Sequence, residues 1–253
     1  MLLFLLFSIG KASPRFKLHT LYTTKRPNYI NNGLIFLFFS LRSEEDIIIN
    51  NMQEGVMEKL SRDFYLGDTV DIAKKLIGCT LVSVTEDGIT SGRIVETEAY
   101  LGTEDTAAHA SKGDPKGRTR ILFGEGGYAY VYLIYGMYNC LNFATGPAEK
   151  PECVLIRALE PVEGLNIMAA RRNTDKPAAL CSGPGKLCMA LGITRADYGA
   201  DLCGERLYVL DREGEVPEIA TTPRINIDYA PEHRDKPWRF VDKNSKYLSV
   251  KLK

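Results

Sequence analysis

Short segments rich in β-branched and aromatic residues follow one another along the chain after residue 57. Gly, Asp and Pro interrupt them, which is the pattern of strands joined by turns. Five such segments come first, and two more follow near the end of the chain. They are CTLVSVTEDG, ITSGRIVETEAYL, YAYVYLIYG, YNCLNFAT and ECVLIRALEP, then LYVLDRE and RINIDYA.

Three other segments have the apolar spacing of helices. IAKKLIG follows Asp68-Thr69-Val70-Asp71, whose side chains can cap a helix start, and Gly78 can end that helix. VEGLNIMAARR and PGKLCMALGI are also predicted to be helical. Because the strands come in consecutive runs rather than in alternation with helices, the pattern favours an antiparallel-rich α+β domain over a doubly wound sheet.

Residues 1–56 differ from the rest of the chain. Six of the ten Phe lie there, and two apolar runs, LLFLLF and LIFLFF, are far shorter than the ~20 residues that span a bilayer. We expect this stretch to be an N-terminal extension, either disordered or the product of a start-site error. The working protein would then begin at Met57 or Met52, with the functional domain in residues 57–253.

Composition narrows the class of protein. Hydrophobic residues make up 45% of the chain and charged residues 25%, which excludes a disordered or collagen-like chain. The formal net charge is zero, so a nucleic-acid partner would have to bind a local basic strip. The six cysteines form no C-x-x-C pair and the three histidines are far apart, so we expect reduced core cysteines and no metal site.

The segment RIVETEAY carries two carboxylates on a mostly apolar strand. Strand alternation places Glu96 and Glu98 on the same face. Buried carboxylates are costly unless they are paired, hydrogen-bonded or catalytic. One interpretation is a salt-bridged edge strand, and the other is a carboxylate that activates water as a general base.

Tyrosines are concentrated in YAYVYLIYGMY, residues 128–138. Alternation places Tyr128, Tyr130 and Tyr132 on one face, which is typical of cross-strand packing but could also supply a flat ring for stacking on a heterocycle. Tyr135 falls on the other side, beside a Gly136-Met137 turn. A tyrosine at the tip of a hairpin is suited to wedging into stacked rings.

The segment SKGDPKGRTR, residues 111–120, precedes the tyrosine strand and is basic. Such a run is usually a solvated loop, but between a carboxylate strand and a wedge it could grip phosphates. The residues concerned are Lys112, Lys116, Arg118 and Arg120, with a second cluster at Arg171, Arg172, Lys176 and Lys186.

Six motifs, in order and without large gaps from about Leu60 to Val250, resemble one known family. They are RDFY, GRIVETEAYLGTEDTAAHAS, RTR with Phe123, YAYVYLIYGMYNCLNFAT, VLIRALEP and LCSGPGKLCMALGI. This combination is similar to the 3-methyladenine DNA glycosylases of the alkyladenine type. The resemblance implies a single α+β domain with a curved, mainly antiparallel sheet flanked by helices and a protruding β-hairpin.

The resemblance also implies an activity. Members of this family flip alkylated or deaminated purines out of duplex DNA and hydrolyse the N-glycosidic bond, which leaves an abasic site. They use neither a metal nor a redox cofactor. We therefore expect a monofunctional glycosylase, a monomer whose partner is damaged double-stranded DNA rather than a membrane, in a bacterial cytoplasm at the nucleoid.

By motif position, the resemblance assigns roles to individual residues. Glu98 would activate the water, and Arg157 would help to hold it. Tyr135 would intercalate, with Met137 beside it. The base pocket would be lined by Tyr100, His109, Tyr132 and Asn142, the last of which would exclude the exocyclic amine of guanine, and the DNA backbone would contact Lys112, Lys116, Arg118, Arg120 and Lys186.

Two other classes remain open on the residues alone. Paired carboxylates with aromatic residues also suit a carbohydrate-directed glycosidase. The same basic and aromatic residues could belong to a nucleic-acid-binding module without catalytic activity, in which Glu98 would be dispensable.

Overall fold

The computed structural model describes residues 57–252. The interpretation of residues 1–56 as an extension, and a start at Met52, lie outside the described residues. None of the helices in the described part of the chain has the length and apolar character needed to cross a membrane.

The core of the described region is one antiparallel sheet of eight strands. The strands are β1 (Thr80–Thr85), β2 (Gly88–Tyr100), β3 (Ala129–Ile134), β4 (Tyr138–Thr145), β5 (Glu152–Glu163), β6 (Leu207–Leu210), β7 (Ile219–Thr222) and β8 (Arg239–Asp242). Their order is β3-β4-β5-β2-β1-β6, and β8 pairs with β2 and with β7. The predicted α+β class with a mainly antiparallel sheet is confirmed.

The long strand β2 is the centre of this sheet. Its first half pairs with β1, its second half pairs with β8, and β5 lies along its other edge. The pairing with β5 is irregular between Ile94 and Thr97, so Val95 of β2 and Arg157 of β5 have no directly opposed partner. An edge-strand position for Glu96 and Glu98 is therefore wrong, because β2 has neighbours on both sides.

The helices are short, and three of the five lie on the predicted segments, whereas the two four-residue helices were not predicted. They are α1 (Arg62–Tyr65), α2 (Thr69–Lys75), α3 (Leu165–Arg172), α4 (Pro177–Leu180) and α5 (Pro184–Leu191), with 3-10 turns at Gly102–Glu104, Gly117–Phe123 and Arg195–Asp197. The start of α2 is capped as predicted, because the Asp68 side chain accepts a hydrogen bond from the Asp71 N–H at 3.0 Å.

One predicted strand is wrong. RINIDYA, residues 224–230, is irregular and joins no ladder. Its polar groups have other partners: Arg224 binds Asp105 and the Ala99 carbonyl, and the Ile225 N–H binds Glu98. The pattern also missed β7 and β8, whose four residues each are too few to establish an alternation.

One face of the sheet packs into the hydrophobic core, and the other face carries the candidate site. Leu141, Phe143, Val154 and Ile156 project from β4 and β5 into the main hydrophobic core, where they are fully buried with residues of α2, α3 and α5. Each such side chain contributes roughly 1.5–3 kcal/mol by burial. The alternate positions of the same strands face the opposite way, and the candidate site is built on that second face.

All six cysteines are free thiols, five of them buried. Burial raises the pKa of Cys79, Cys153 and Cys181 to about 12, so these thiols stay protonated and pack as small apolar side chains.

Candidate active site

A row of four side chains crosses the sheet on the second face. Tyr130 on β3 is opposite Asn142 on β4, Asn142 is opposite Leu155 on β5, and Leu155 is opposite Glu98 on β2. Directly opposed residues of antiparallel strands project to the same side. Four strands therefore bring a phenol, an amide and a carboxylate together from positions up to 44 residues apart.

A cavity of about 830 Å³ opens on this face. That volume is within the range of small-molecule sites. Its wall includes Arg157, the segment Gly183–Lys186 and several aromatic rings, namely Tyr100, His109, Tyr132, Tyr135, Tyr138 and Tyr229. A smaller hollow of about 40 Å³, lined by Asn142 and Cys153, shares Tyr100, His109 and Tyr132 with it.

Glu98 lies fully buried behind this wall. Its Oε2 accepts hydrogen bonds from the Tyr100 hydroxyl at 2.9 Å and from Arg157 Nη1 at 3.3 Å, and its Oε1 accepts from the Ile225 N–H at 2.7 Å. All three donors belong to residues that line the cavity. An ionised carboxylate can accept about four hydrogen bonds, so Glu98 has capacity for one more.

Glu96 is also fully buried but is held by more partners. Its oxygens accept from Arg157 Nε at 2.9 Å, Arg239 Nε at 2.8 Å and the N–H and hydroxyl of Ser249 at 2.6 and 2.7 Å. Burial by itself would raise the pKa of Glu96, but the charge of Arg157 and the bonds from Arg239 and Ser249 together lower it. Glu96 is therefore ionised at neutral pH and anchors two guanidinium groups.

Arg157 connects the two carboxylates. Its Nε binds Glu96, its Nη1 binds Glu98, and its Nη2 donates to the Ser249 hydroxyl at 3.1 Å. A guanidinium has five N–H donors, so two have no partner among residues 57–252. Since Arg157 lines the cavity, these donors can serve a bound molecule.

The β3 rings form an aromatic cluster with His109. The Tyr130 and Tyr132 ring centroids are 5.4 Å apart, and the His109 ring meets the Tyr132 ring edge-on at 4.5 Å. His109 Nδ1 lies 2.9 Å from the Tyr130 hydroxyl. Tyr128 does not join them, because its ring packs against the Arg62 guanidinium at 4.3 Å.

Titration of His109 should differ from that of an ordinary histidine. Burial, followed by the charge of Arg118, lowers the pKa of His109 from 6.5 to about 4. Between pH 4 and pH 6.5 the His109 ring is protonated in the unfolded chain but not in the folded protein. The contribution of His109 to the stability of the fold is therefore fully present above pH 6.5 and is lost as the pH falls through this range.

We expect the His109 ring resonances in an NMR titration to shift near pH 4, and the midpoint to rise in Arg118→Gln. The matched control, Arg120→Gln, removes the same charge from an exposed neighbour that is absent from the causes of the shift. A midpoint near 6.5 in the unmodified protein would contradict the burial of this ring.

The β3–β4 hairpin ends in a three-residue tip. Tyr135 is 77% exposed and Met137 is 65% exposed, although both are large and apolar. Tyr135 has a φ of +53°, a left-handed conformation that is uncommon for a bulky residue. The predicted hairpin tip is thus present, and Tyr135 also borders the cavity.

The predicted basic residues do not all lie together. Lys112, Lys116, Arg118 and Arg120 are exposed, as is Lys186, but only Lys186 of these five lines the main cavity. Arg118 and Arg120 line a separate hollow of about 580 Å³ with Arg195, on a surface that also includes Tyr132. Of the second cluster, Arg171 is used structurally, because it binds Asp87 and the Ala190 carbonyl.

Several residues of the site were missed by the sequence analysis. The Ile225 N–H is a backbone group, so the residue type at this position does not predict its role. Arg224 is fully buried and lies between the Tyr100 and Trp238 rings at 4.6 and 4.9 Å from their centroids. Arg239 and Ser249, both from the last part of the chain, donate hydrogen bonds to Glu96. The sequence analysis considered this region only through the RINIDYA segment, which it wrongly predicted to be a strand.

Comparison with known proteins identifies the family of this chain. The family model described as methylpurine-DNA glycosylase matches residues 63–246. The chain is 52% identical over 195 residues to a Methanocella arvoryzae protein, which covers 76% of this chain and 96% of the relative. That relative is provisionally named a 3-methyladenine DNA glycosylase.

Two bacterial relatives carry the same provisional name. A Desulfitobacterium hafniense protein is 44% identical over 203 residues, 77% of this chain and 100% of the relative. A Bacillus cereus protein is 49% identical over 199 residues, 74% of this chain and 97% of the relative. The family suggested by the sequence motifs is confirmed, and a carbohydrate-directed glycosidase and a module without catalytic activity are excluded. The chain belongs to the methylpurine-DNA glycosylase family, enzymes that act on N-glycosyl bonds in DNA.

Proposed function

We propose that residues 57–253 flip purines of the 3-methyladenine type out of duplex DNA and hydrolyse their N-glycosidic bond with a water activated by Glu98. The observation that carries this proposal is a fully buried carboxylate whose three hydrogen-bond donors, on Tyr100, Arg157 and Ile225, all line one aromatic cavity. The Glu98 carboxylate would therefore already be oriented when a sugar binds at the cavity wall.

Base flipping is required because the glycosidic carbon is inaccessible inside the stack. Extrusion costs a few kcal/mol, less for a damaged or mispaired base. Tyr135 fills the vacated space, supported by Met137, and slows the return of the base. Their exposure on the tip of a hairpin beside the cavity supports this role.

The flipped base would lie between the rings of Tyr100 and Tyr132. A cationic alkylpurine stacks well on the electron-rich face of tyrosine. Because Nδ1 of the His109 ring is paired with the Tyr130 hydroxyl, its Nε2 would meet an edge of the base. Asn142, which donates to the Tyr130 carbonyl at 3.1 Å, would stand against the minor-groove edge and exclude the amine of normal guanine.

In the chemical step, the bond between the sugar carbon and the purine nitrogen breaks, and its electron pair leaves with the purine. The sugar develops oxocarbenium-like charge, which the Glu98 carboxylate stabilises. The two unpartnered N–H groups of Arg157 hold the water. Its oxygen bonds to the sugar carbon while its proton passes to Glu98, and an abasic site remains.

The DNA backbone would be held by basic residues around the cavity. Arg118 and Arg120, joined by Arg195, form a hollow without a carboxylate among its lining residues, and phosphates suit such a surface. Lys186 lies at the cavity itself. Lys112 and Lys116 are exposed and would contact the duplex farther out.

We propose a monofunctional enzyme, which releases the base without nicking the strand. Among residues 57–252, Lys186 is the lysine that lines the cavity, so it is the candidate nucleophile for a lyase step. Borohydride should trap no covalent adduct with lesion DNA. An adduct that forms in the unmodified protein and disappears in Lys186→Ala would instead assign a lyase step to Lys186.

The decisive experiment measures base release from duplex oligonucleotides that carry 3-methyladenine, 7-methylguanine, hypoxanthine or ethenoadenine. We expect release of at least one lesion with EDTA present, since the assigned chemistry needs no metal or redox cofactor. We also expect a monomer by size-exclusion chromatography and activity in the cytoplasm, at the nucleoid. Absence of release from every lesion would refute the proposal.

Removal of the wedge should weaken capture of the lesion. Tyr135→Ala deletes the stacking ring, and base–aromatic stacking is worth about 1–3 kcal/mol, so the Kd for lesion duplex should rise by a factor of about 5–150. The fold should be unaffected, because the ring is exposed. Val216→Ala removes another exposed apolar side chain, from the loop after β6, and should leave the Kd unchanged; equal effects of the two substitutions would argue against intercalation.

A further inference from the structure

The chain that follows β8 returns to the carboxylate pair of β2. The Ser249 N–H and hydroxyl both donate to Glu96, and Arg239 Nη2 donates to the Val250 carbonyl at 2.5 Å. Ser249 lies beyond residues 63–246, the stretch that the family model matches. The family match therefore assigns no role to Ser249.

The Ser249 hydroxyl makes two bonds at once. It donates to Glu96 Oε1 at 2.7 Å and accepts from Arg157 Nη2 at 3.1 Å. A hydroxyl has one donor and two acceptor sites, so this bridge between an anion and a cation is within its capacity. An alanine at this position could make neither bond, although its backbone N–H would remain.

We propose that Ser249 is a positioning residue that fixes the Arg157 guanidinium and, through it, the Glu98 carboxylate; this inference rests on the proposed function of Glu98. Arg157 has three anchors, and the one to Glu98 is the longest at 3.3 Å. A long bond is sensitive to rotation of the guanidinium. Ser249 prevents that rotation, because it holds the Nη2 end while Glu96 holds the Nε end.

The hydroxyl is separable from the anchoring of the segment. Arg239 holds the Val250 carbonyl, and the Ser249 N–H binds Glu96 Oε2, and both are backbone contacts that survive loss of the side chain. A purely structural role would therefore predict a small change in stability and no change in the chemistry.

The hydroxyl also affects protonation. Glu96 is faced by Arg157 from β5, Arg239 from β8 and the Ser249 segment, with Glu98 two residues away on its own strand. The Ser249 bond is one of the contacts that lower the pKa of Glu96. Without it, Glu96 should take up a proton at a higher pH, and activity should fall earlier as the pH decreases.

The test compares Ser249→Ala with Ser245→Ala, a hydroxyl deletion at a similarly half-buried position of the same segment. For Ser249→Ala we expect kcat of base release to fall about tenfold, the equivalent of one modest hydrogen bond, with KM within about twofold. The acid side of the kcat profile should move to higher pH. Ser249→Thr keeps a hydroxyl and should therefore retain the normal kcat and the normal pH profile. Ser245→Ala should change neither quantity.

The outcomes separate the two proposals when Glu98→Gln is assayed beside them. An inactive Glu98→Gln with a Ser249→Ala variant of normal kcat and normal pH profile would overturn the role of Ser249 alone. An active Glu98→Gln would overturn the proposed function itself. Should Ser249→Ala fail to fold, Ser249→Cys keeps the size but offers only a weak donor, and normal kcat there would refute the inference.

Discussion

Replacement of Glu98 by Gln is expected to lower the rate of base release by a factor of about 10²–10⁴, the usual contribution of a positioned general base. Gln keeps the shape of the side chain and can still accept the Ile225 N–H, but it cannot take a proton from water. Binding of the lesion duplex should remain, because Tyr100, Tyr132 and Tyr135 are unchanged. Single-turnover release and Kd, measured on the same oligonucleotide, separate the two effects.

Glu86→Gln is the matched control, since it removes the same charge from the exposed turn between β1 and β2. It should leave both the rate and the Kd unchanged. A Glu98→Gln variant that releases base at the normal rate would exclude Glu98 as the base. A variant that loses binding as well would instead indicate a structural role for the carboxylate.

The largest loss of stability is expected for Asp105→Ala. Asp105 and Arg224 are both fully buried, and Arg224 Nη2 donates to Asp105 Oδ1 at 2.9 Å. Removal of one partner leaves an uncompensated charge in the interior, which costs about 3–5 kcal/mol. The carboxylate also accepts a hydrogen bond from the Ala107 N–H at 3.0 Å, so the substitution would leave that buried donor without its acceptor. Urea denaturation measures the free energy of unfolding.

Two comparisons make this result specific. Glu218→Ala breaks an exposed ion pair with Lys243 and should cost only about 0–1 kcal/mol. The double change Asp105→Leu with Arg224→Met removes both charges and should recover much of the loss, since apolar residues of similar volume often replace buried pairs without penalty. A single Asp105→Ala variant as stable as the unmodified protein would mean that water reaches Arg224.

The Asp105–Arg224 pair also matters for the site. Arg224 precedes Ile225, whose N–H donates to Glu98, and its guanidinium packs against the Tyr100 ring. The pair thus fixes an irregular segment on one side of the cavity, as Glu96 fixes Arg157 on the other. Both arrangements place a buried ion pair behind groups that we propose contact the substrate.

The sequence alone determined the elements that depend on local pattern. Period-two alternation placed Glu96 and Glu98 on one face of β2, and a glycine turn after a tyrosine strand placed Tyr135 at an exposed tip. Capping chemistry in residues 68–71 indicated where α2 starts. The family motifs added the expected roles of these residues, because the motifs lie on those same elements.

Tertiary structure alone decided which of the two carboxylates adjoins the cavity. Glu96 and Glu98 are identical residues two positions apart, and both are fully buried. Glu96 is held by Arg157 of β5, Arg239 of β8 and Ser249, whereas all three donors to Glu98 belong to residues that line the cavity. Alternation along one strand cannot distinguish them, because the difference arises mainly from Arg239, Ser249 and the Ile225 N–H, all more than 100 residues away in sequence.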